Sequence, residues 1–265
     1  MGITHLTARY VAPLSFLIDF AAQQYGMLSS PNMKDVHDAN LSFWSPQPFF
    51  IAGFFFPQQL FQLAWLYRLW KLDPKSEKER QEVEQIVEFV PYYVVGNLCI
   101  ATWMIFWNAS ALKTSNIFVL INSFTQLYFI FFKLPPMNTR SASSVLTHIV
   151  SKTFAGIGVL DFLHNGSVAY FDHQGPNTLV KIVTGLGFAA LASVSDCIFG
   201  GCLVYDLVAL SVGQSGIKGQ EGWGRLLEGF AVGTVAVVGV RNWLRPPYVR
   251  KEVGDYEQVG NEDVV

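Results

Sequence analysis

The chain has 265 residues, of which 51% are hydrophobic, 15% aromatic and only 14% charged, with a formal net charge of −2. Soluble domains carry about 25% Asp, Glu, Lys and Arg, so the depletion points to a polytopic membrane protein. The near-zero net charge excludes a basic nucleic-acid surface. At the N-terminus, MGITHLTARYVAPLSFLIDFAAQQY lacks a strongly basic first region and Asp19 interrupts its apolar run, so a retained first crossing is expected rather than a cleaved leader. Cys99, Cys197 and Cys202 lie in apolar segments, odd in number and without CxxC spacing; they read as small buried residues, not disulfides or metal ligands.

Crossings of about 20 mainly apolar residues are predicted, in chain order, at 10–28, 48–70, 89–110, 115–133, 145–170, 179–212 and 222–243. Segments 48–67 and 114–132 contain no Asp, Glu, Lys or Arg, which does not fit a helix with a wet side. The expected fold is therefore all-α, a transmembrane helical bundle of seven crossings over residues 1–245. It would have a charged loop near 68–88 and an acidic, disordered tail over 246–265, with a tyrosine sorting pattern at Tyr256. The expected partner is the lipid bilayer of a eukaryotic endomembrane or plasma membrane.

Arg68, Lys71, Lys75, Lys78 and Arg80 form the densest basic cluster, which the positive-inside rule places in the cytoplasm. Three sequons, at Asn40, Asn108 and Asn165, then fall in or beside the opposite connections. Seven crossings conflict with Arg241, Arg245, Arg250 and Lys251, which would lie on the far side from the basic loop. At ~1.5 Å per residue, 179–212 is about 50 Å long as one helix. A break at Gly200-Gly201 would make eight crossings and remove the conflict. Gly185, Ala189, Ser193, Cys197 and Gly201 recur every four residues, a smooth stripe expected to pack on Gly229 and Gly233 of the last crossing.

Polar groups inside the crossings carry the functional reading. Gln58, Gln62 and Trp65 share one helical face, Asn97 and Asn108 align three turns apart beside Trp103 and Trp107, and Asn122 and Gln126 are four residues apart. An unpaired amide in hydrocarbon costs about 2–7 kcal/mol, so these stripes must face a protein interior. That interior is either interhelical packing or a cavity lined by Gln58, Gln62, Trp65, Asn97, Trp103, Trp107, Asn122 and Gln126. Asp161, His164 and Asn165 also lie on one face and form, with Asp196, a second polar cluster. No metal site is expected, because a third strong ligand is missing. Asp196 and Asp206 are set about 80° apart around a helix and do not make a catalytic dyad. Nucleotide-binding and hydrolase motifs are missing, and no cofactor is expected.

The entry around Pro46 and Pro48, the aromatic span ending in Trp65, Tyr67 and Trp70, and the Asn97–Trp103–Trp107 span resemble the longer relatives of the tryptophan-rich sensory proteins, which are alike the translocator-protein family. The resemblance covers residues 15–135; Phe55-Phe56-Pro57 stands where that family shows a Trp-Gly step. In general texture the chain is also similar to fungal multi-span membrane proteins. The family resemblance implies a helical bundle that binds tetrapyrroles or sterol-like molecules without catalysis. Two other activities are compatible with the residues. One is a membrane-embedded isoprenoid or lipid enzyme with Asp161 and His164 as acid and base and Asp196 beside a cation. The other is a proton-coupled transporter using Asp161 or Asp196.

Overall fold

The computed structural model describes residues 3–77 and 79–244; Lys78, Arg245, Arg250, Lys251, Tyr256 and the whole expected tail at 246–265 lie outside the described residues. The described chain is all helical. Its elements are α1 (His5–Leu28), α2 (Met33–Ala39), α3 (Pro48–Lys71), α4 (Arg80–Asn108), α5 (Leu112–Tyr128, prolonged by a π-helical turn Phe129–Lys133), α6 (Ala142–Tyr170), α7 (Thr178–Val194), α8 (Cys197–Ser215) and α9 (Glu221–Leu244). Starts are set by side chains that accept otherwise orphaned N–H groups: Thr4, Asn32, Gln47, Ser141, Asn177 and Asp196 each cap the helix that follows. Among the described residues, α3, α4, α5 with its π turn, α6, α8 and α9 are long and apolar enough to cross a membrane, while α7 is apolar but shorter. The protein is an integral membrane protein built as a polytopic helical bundle.

Two boundaries differ from expectation. The segment expected as one crossing over 179–212 is two helices, and the break lies at Ser195-Asp196 rather than at Gly200-Gly201. Asp196 accepts from the backbone N–H of Ile198 and Phe199, 3.1 and 3.0 Å away, which satisfies two of the N–H groups that a new helix start leaves unpaired. The glycines instead continue α8 and admit α9: a Cβ on Gly200 would stand 2.6 Å from a methyl of Val238. The charged loop is also shorter than 68–88, because α4 already begins at Arg80. Arg, Gln and Glu are good helix formers, and Arg80 pairs with Glu84 one turn on.

Contacts at the two ends show how the eight helices other than α2 alternate. At one end Arg9 of α1 donates to the Leu72 carbonyl beyond α3, Arg68 meets Glu82 of α4, and Asn242 of α9 donates to the Ser195 carbonyl. At the other, Asn108 of α4 donates to the Gly26 carbonyl of α1, and Trp223 of α9 donates to the Phe43 carbonyl. An even number of such helices places Arg241 at the same end as the basic loop, which removes the conflict of a seven-helix count.

Helix α6 is the axis, buried along most of its length between two apolar clusters. One cluster joins α1, α3, α4 and α5 and contains the aromatic stack Trp65, Phe89, Tyr93 and Phe129. The second joins α6 to α8 and α9. The small-residue stripe does not form the expected seam. Ala189, Ser193, Cys197 and Gly201 face outward, and Gly229 and Gly233 have nothing near their missing Cβ positions. The capped break rotates α8 relative to α7, so one continuous stripe cannot exist; Gly185 alone meets Phe230 of α9. Cys197 is therefore exposed, whereas Cys99 and Cys202 are buried as expected. Of the three sequons, Asn108 and Asn165 are buried inside the bundle and only Asn40 is partly accessible.

Candidate ligand cavity

The structure brings some of the polar residues together and separates others. Gln58, Gln62, Asn97, Asn122 and Gln126 are all buried, so the amides of α3, α4 and α5 do turn from lipid. They are packed between helices. The Tyr93 hydroxyl donates to Gln62 Oε1 at 2.7 Å, Trp65 Nε1 to Thr147 Oγ1 at 3.0 Å, Asn97 Nδ2 to Ser15 Oγ at 3.2 Å and Gln126 Nε2 to the Tyr92 carbonyl at 2.9 Å. A Cβ on Gly96 would meet Gln126 Nε2 at 2.6 Å, so α4 and α5 approach closely where these amides lie. Gln58 pairs at neither amide atom among the described residues. Gln58, Gln62, Trp65, Asn97, Asn122 and Gln126 are not among the residues that line the cavity described next.

A cavity of about 490 Å³ nonetheless lies between α1, α2, α3, α4 and α6, at the end opposite the basic loop. Of the residues expected to line a cavity it takes Trp103 and Trp107, and it joins them to Asp161 and His164. Asn165 stands behind this wall, accepting from Trp103 Nε1 at 2.6 Å and so fixing the indole plane. The remaining wall comes from residues outside the expected set, chiefly Gln23, His37, Phe55 and Gln59. Gln59 Nε2 donates to Gln23 Oε1 at 3.2 Å, and Gln23 Nε2 to Asp19 Oδ2 at 2.8 Å, a short polar chain from α3 into α1. Met27, Phe49 and Phe56 form the mouth on α1 and α3, and all three are exposed on the outer face of the bundle. The cavity is therefore accessible from the α1–α3 side.

The roof is α2. It is held over the cavity by His37, whose Nδ1 lies 3.1 Å from His164 Nε2, and by the Met33 carbonyl, which accepts from Trp107 Nε1 at 3.1 Å. One imidazole must donate and the other accept, so the accepting ring is neutral, and the contact is lost once both rings are protonated. Burial pushes the pKa of His37 down to about 4; Lys34 acts in the same direction and Asp38 against it. The groups facing it from α6 are His164 and Asp161, and Trp107 of α4 is uncharged. An imidazole whose folded pKa lies below its unfolded value near 6.5 supports the fold fully above that value and loses this support as pH falls toward 4. The loss reaches about 3 kcal/mol. Acidification from pH 7 to 4 is expected to loosen α2 and shift Trp107 fluorescence, and His37→Gln should flatten that profile.

Asp196 does not belong to the Asp161–His164 group. Its carboxylate takes an ion pair from Lys152 at the basic end, and Lys152 also donates to His148 Nδ1 at 2.7 Å. His148 must then carry its proton on Nε2, which donates to the Pro135 carbonyl at 2.9 Å. Lys152 and Asp161 are nine residues apart on α6, about 14 Å along the axis. The acid–base assignment that needed Asp196 near Asp161 therefore loses its supporting carboxylate. Asp206, by contrast, is fully buried with neither oxygen hydrogen-bonded, and lies within electrostatic reach of Asp161. Among the described residues no three His, Cys, Asp or Glu side chains converge as a metal site would require.

No protein-family model, no curated protein and no solved structure matches the chain. The sequence reading missed the cavity wall for identifiable reasons. His37 comes from a short polar helix in a connection, outside every predicted crossing. Gln59 was adjacent to the chosen glutamine face, one residue from Gln58. A helical step of one residue is 100°, enough to exchange packing for cavity. Lys152 was the available signal for Asp196: a lone lysine and a lone aspartate in neighbouring apolar segments are natural partners.

Proposed function

We propose that the protein is a non-enzymatic membrane protein that binds a small, largely apolar ligand, sterol- or tetrapyrrole-like, in the cavity between α1, α2, α3, α4 and α6. The observation carrying this reading is that the lining includes Met27, Phe49 and Phe56, apolar side chains exposed on α1 and α3 of a membrane-spanning bundle. A ligand dissolved in the bilayer reaches an aromatic chamber without crossing the polar end. The volume of about 490 Å³ lies within the range of small-molecule sites. The resemblance to the tryptophan-rich sensory proteins supports the same reading through Trp103 and Trp107, the part of that motif which lines the chamber. The basic end, with Arg68, Lys71, Lys75, Arg80, Arg140 and Arg241, is assigned to the cytoplasm. Thiol labelling of single cysteines placed in 72–79, from either side of sealed vesicles, checks this assignment.

Titration of the purified protein in nanodiscs with protoporphyrin or a fluorescent sterol should quench tryptophan emission saturably. Trp107→Phe should weaken the affinity about three- to tenfold. Trp243→Phe should leave it unchanged, because Trp243 is exposed at the far end of α9. Gln62→Leu should also leave it unchanged, because Gln62 is tied to Tyr93 outside the cavity. Equal, unsaturable quenching of all four proteins would mean membrane partitioning only, and the ligand-site reading would be withdrawn.

A further inference from the structure

The cavity carries a polar determinant that a purely apolar ligand leaves unused. Asp161 is 8% exposed and lines the cavity, and among the described residues its carboxyl group has no hydrogen-bonding or ion-pair partner. Asp206, wholly buried on α8 with both oxygens unpaired, is a second acidic group near it that brings no positive charge. Among the described residues that line the cavity, Lys34 is the one Lys or Arg. Lys34 stands at the rim and is already paired with Asp38, the hydrogen bond between His37 and His164 requires at least one neutral ring, and burial keeps His37 unprotonated near neutral pH. The lining is also aromatic, with Phe55, Trp103 and Trp107.

We propose that the cavity selects apolar molecules bearing a protonated amine or quaternary ammonium group, with Asp161 as counter-ion and Trp103 and Trp107 as the aromatic contacts. This rests on the reading of the cavity as a ligand site and names the chemical class it prefers. A buried carboxylate without a partner is costly, and a bound cation removes that cost. Aromatic faces attract the same cation through their quadrupoles, more strongly when water is excluded. A proton removes the same cost, so a bound cation competes with a proton for Asp161. A metal ion would need ligands that do not converge here.

Three matched probes test the assignment with the full-length protein in nanodiscs of neutral lipid: N,N-dimethyl-3-(1-naphthyl)propylamine, its trimethylammonium analogue, and 1-(4-methylpentyl)naphthalene, the carbon isostere. Affinities are read from tryptophan quenching and corrected for partition into protein-free nanodiscs. The two cations should bind at least about tenfold more tightly than the isostere, and Asp161→Asn should bring the ratio close to one while the isostere still binds. If all three probes bind equally to the unaltered protein, the charge preference is wrong and the cavity reading survives. If none binds saturably, both fail. A preference that persists in folded Asp161→Asn overturns the role of Asp161. Should that variant not fold, the ratio in the unaltered protein decides, with Asp206→Asn as a second variant expected to lower the ratio less than Asp161→Asn does.

Discussion

Asp196→Ala is expected to be the most damaging single substitution at the basic end, costing about 4–6 kcal/mol. The side chain has two duties. Its Oδ1 caps α8 through the N–H groups of Ile198 and Phe199, worth about 1 kcal/mol. Its Oδ2 neutralises Lys152, whose side chain is 11% exposed and has only a neutral imidazole as its other partner. Removing the carboxylate leaves a buried ammonium uncompensated, which costs about 3–5 kcal/mol. Asp196→Asn separates the two duties, since the amide oxygen can still cap while the charge is gone; most of the loss should remain. The double variant Lys152→Met, Asp196→Asn should recover most of the stability, because removing both charges also removes their desolvation penalty. Thermal unfolding in detergent, followed by intrinsic fluorescence, orders the four proteins. If Asp196→Ala melts within about 2 °C of the unaltered protein, the ion pair is superficial and this account of the α6–α8 junction is wrong.

Gly213→Ala should disrupt the opposite end. A Cβ there would stand 2.5 Å from the Pro46 carbonyl carbon, 2.5 Å from the Ser45 oxygen and 2.6 Å from the Gln47 nitrogen, all backbone atoms that cannot rotate away. The segment entering α3 is bound to α8 at this point. Gln47 N donates to the Ala209 carbonyl at 2.9 Å, and Gln214 Nε2 donates to the carbonyls of Ser42 and Ser45, both at 2.9 Å. Overpacking costs about 1–3 kcal/mol and each buried hydrogen bond lost adds about 1 kcal/mol, so about 3–5 kcal/mol is at stake. Because this segment leads from α2 into α3, the same change should displace Phe49 at the cavity mouth and weaken ligand binding together with stability. Gly201→Ala is the matched control. Nothing lies near its missing Cβ, and alanine is the better helix former, so it should be neutral or slightly stabilising. Limited proteolysis at 40–47 distinguishes a displaced segment from global unfolding.

Much of the bundle could be read along the chain. The apolar runs at 48–70, 115–133 and 222–243 coincide with α3, α5 and α9 to within a few residues, because hydrocarbon thickness and the need to satisfy every backbone group leave a long uncharged segment little choice but a helix. That the amides turn inward follows from the same cost, and the burial of Gln58, Gln62, Asn97, Asn122 and Gln126 agrees with it. The position of the break in 179–212 was less legible, since a glycine pair and a serine–aspartate pair both punctuate helices. The aspartate prevailed because it satisfies two N–H groups, whereas glycine only permits a bend.

By itself, then, the sequence determined the helical class, the placement of most crossings and the inward turn of the amide stripes, all consequences of local composition against a hydrocarbon solvent. Tertiary structure alone decided which inward-facing groups pack and which line space. Whether Gln62 meets Tyr93 or a ligand, whether Asp196 serves Lys152 or Asp161, and whether α2 closes over His164 depend on how whole helices rotate and approach one another. Those rotations are set by long-range packing around α6, and a helical period within one segment carries no information about the neighbour it will face.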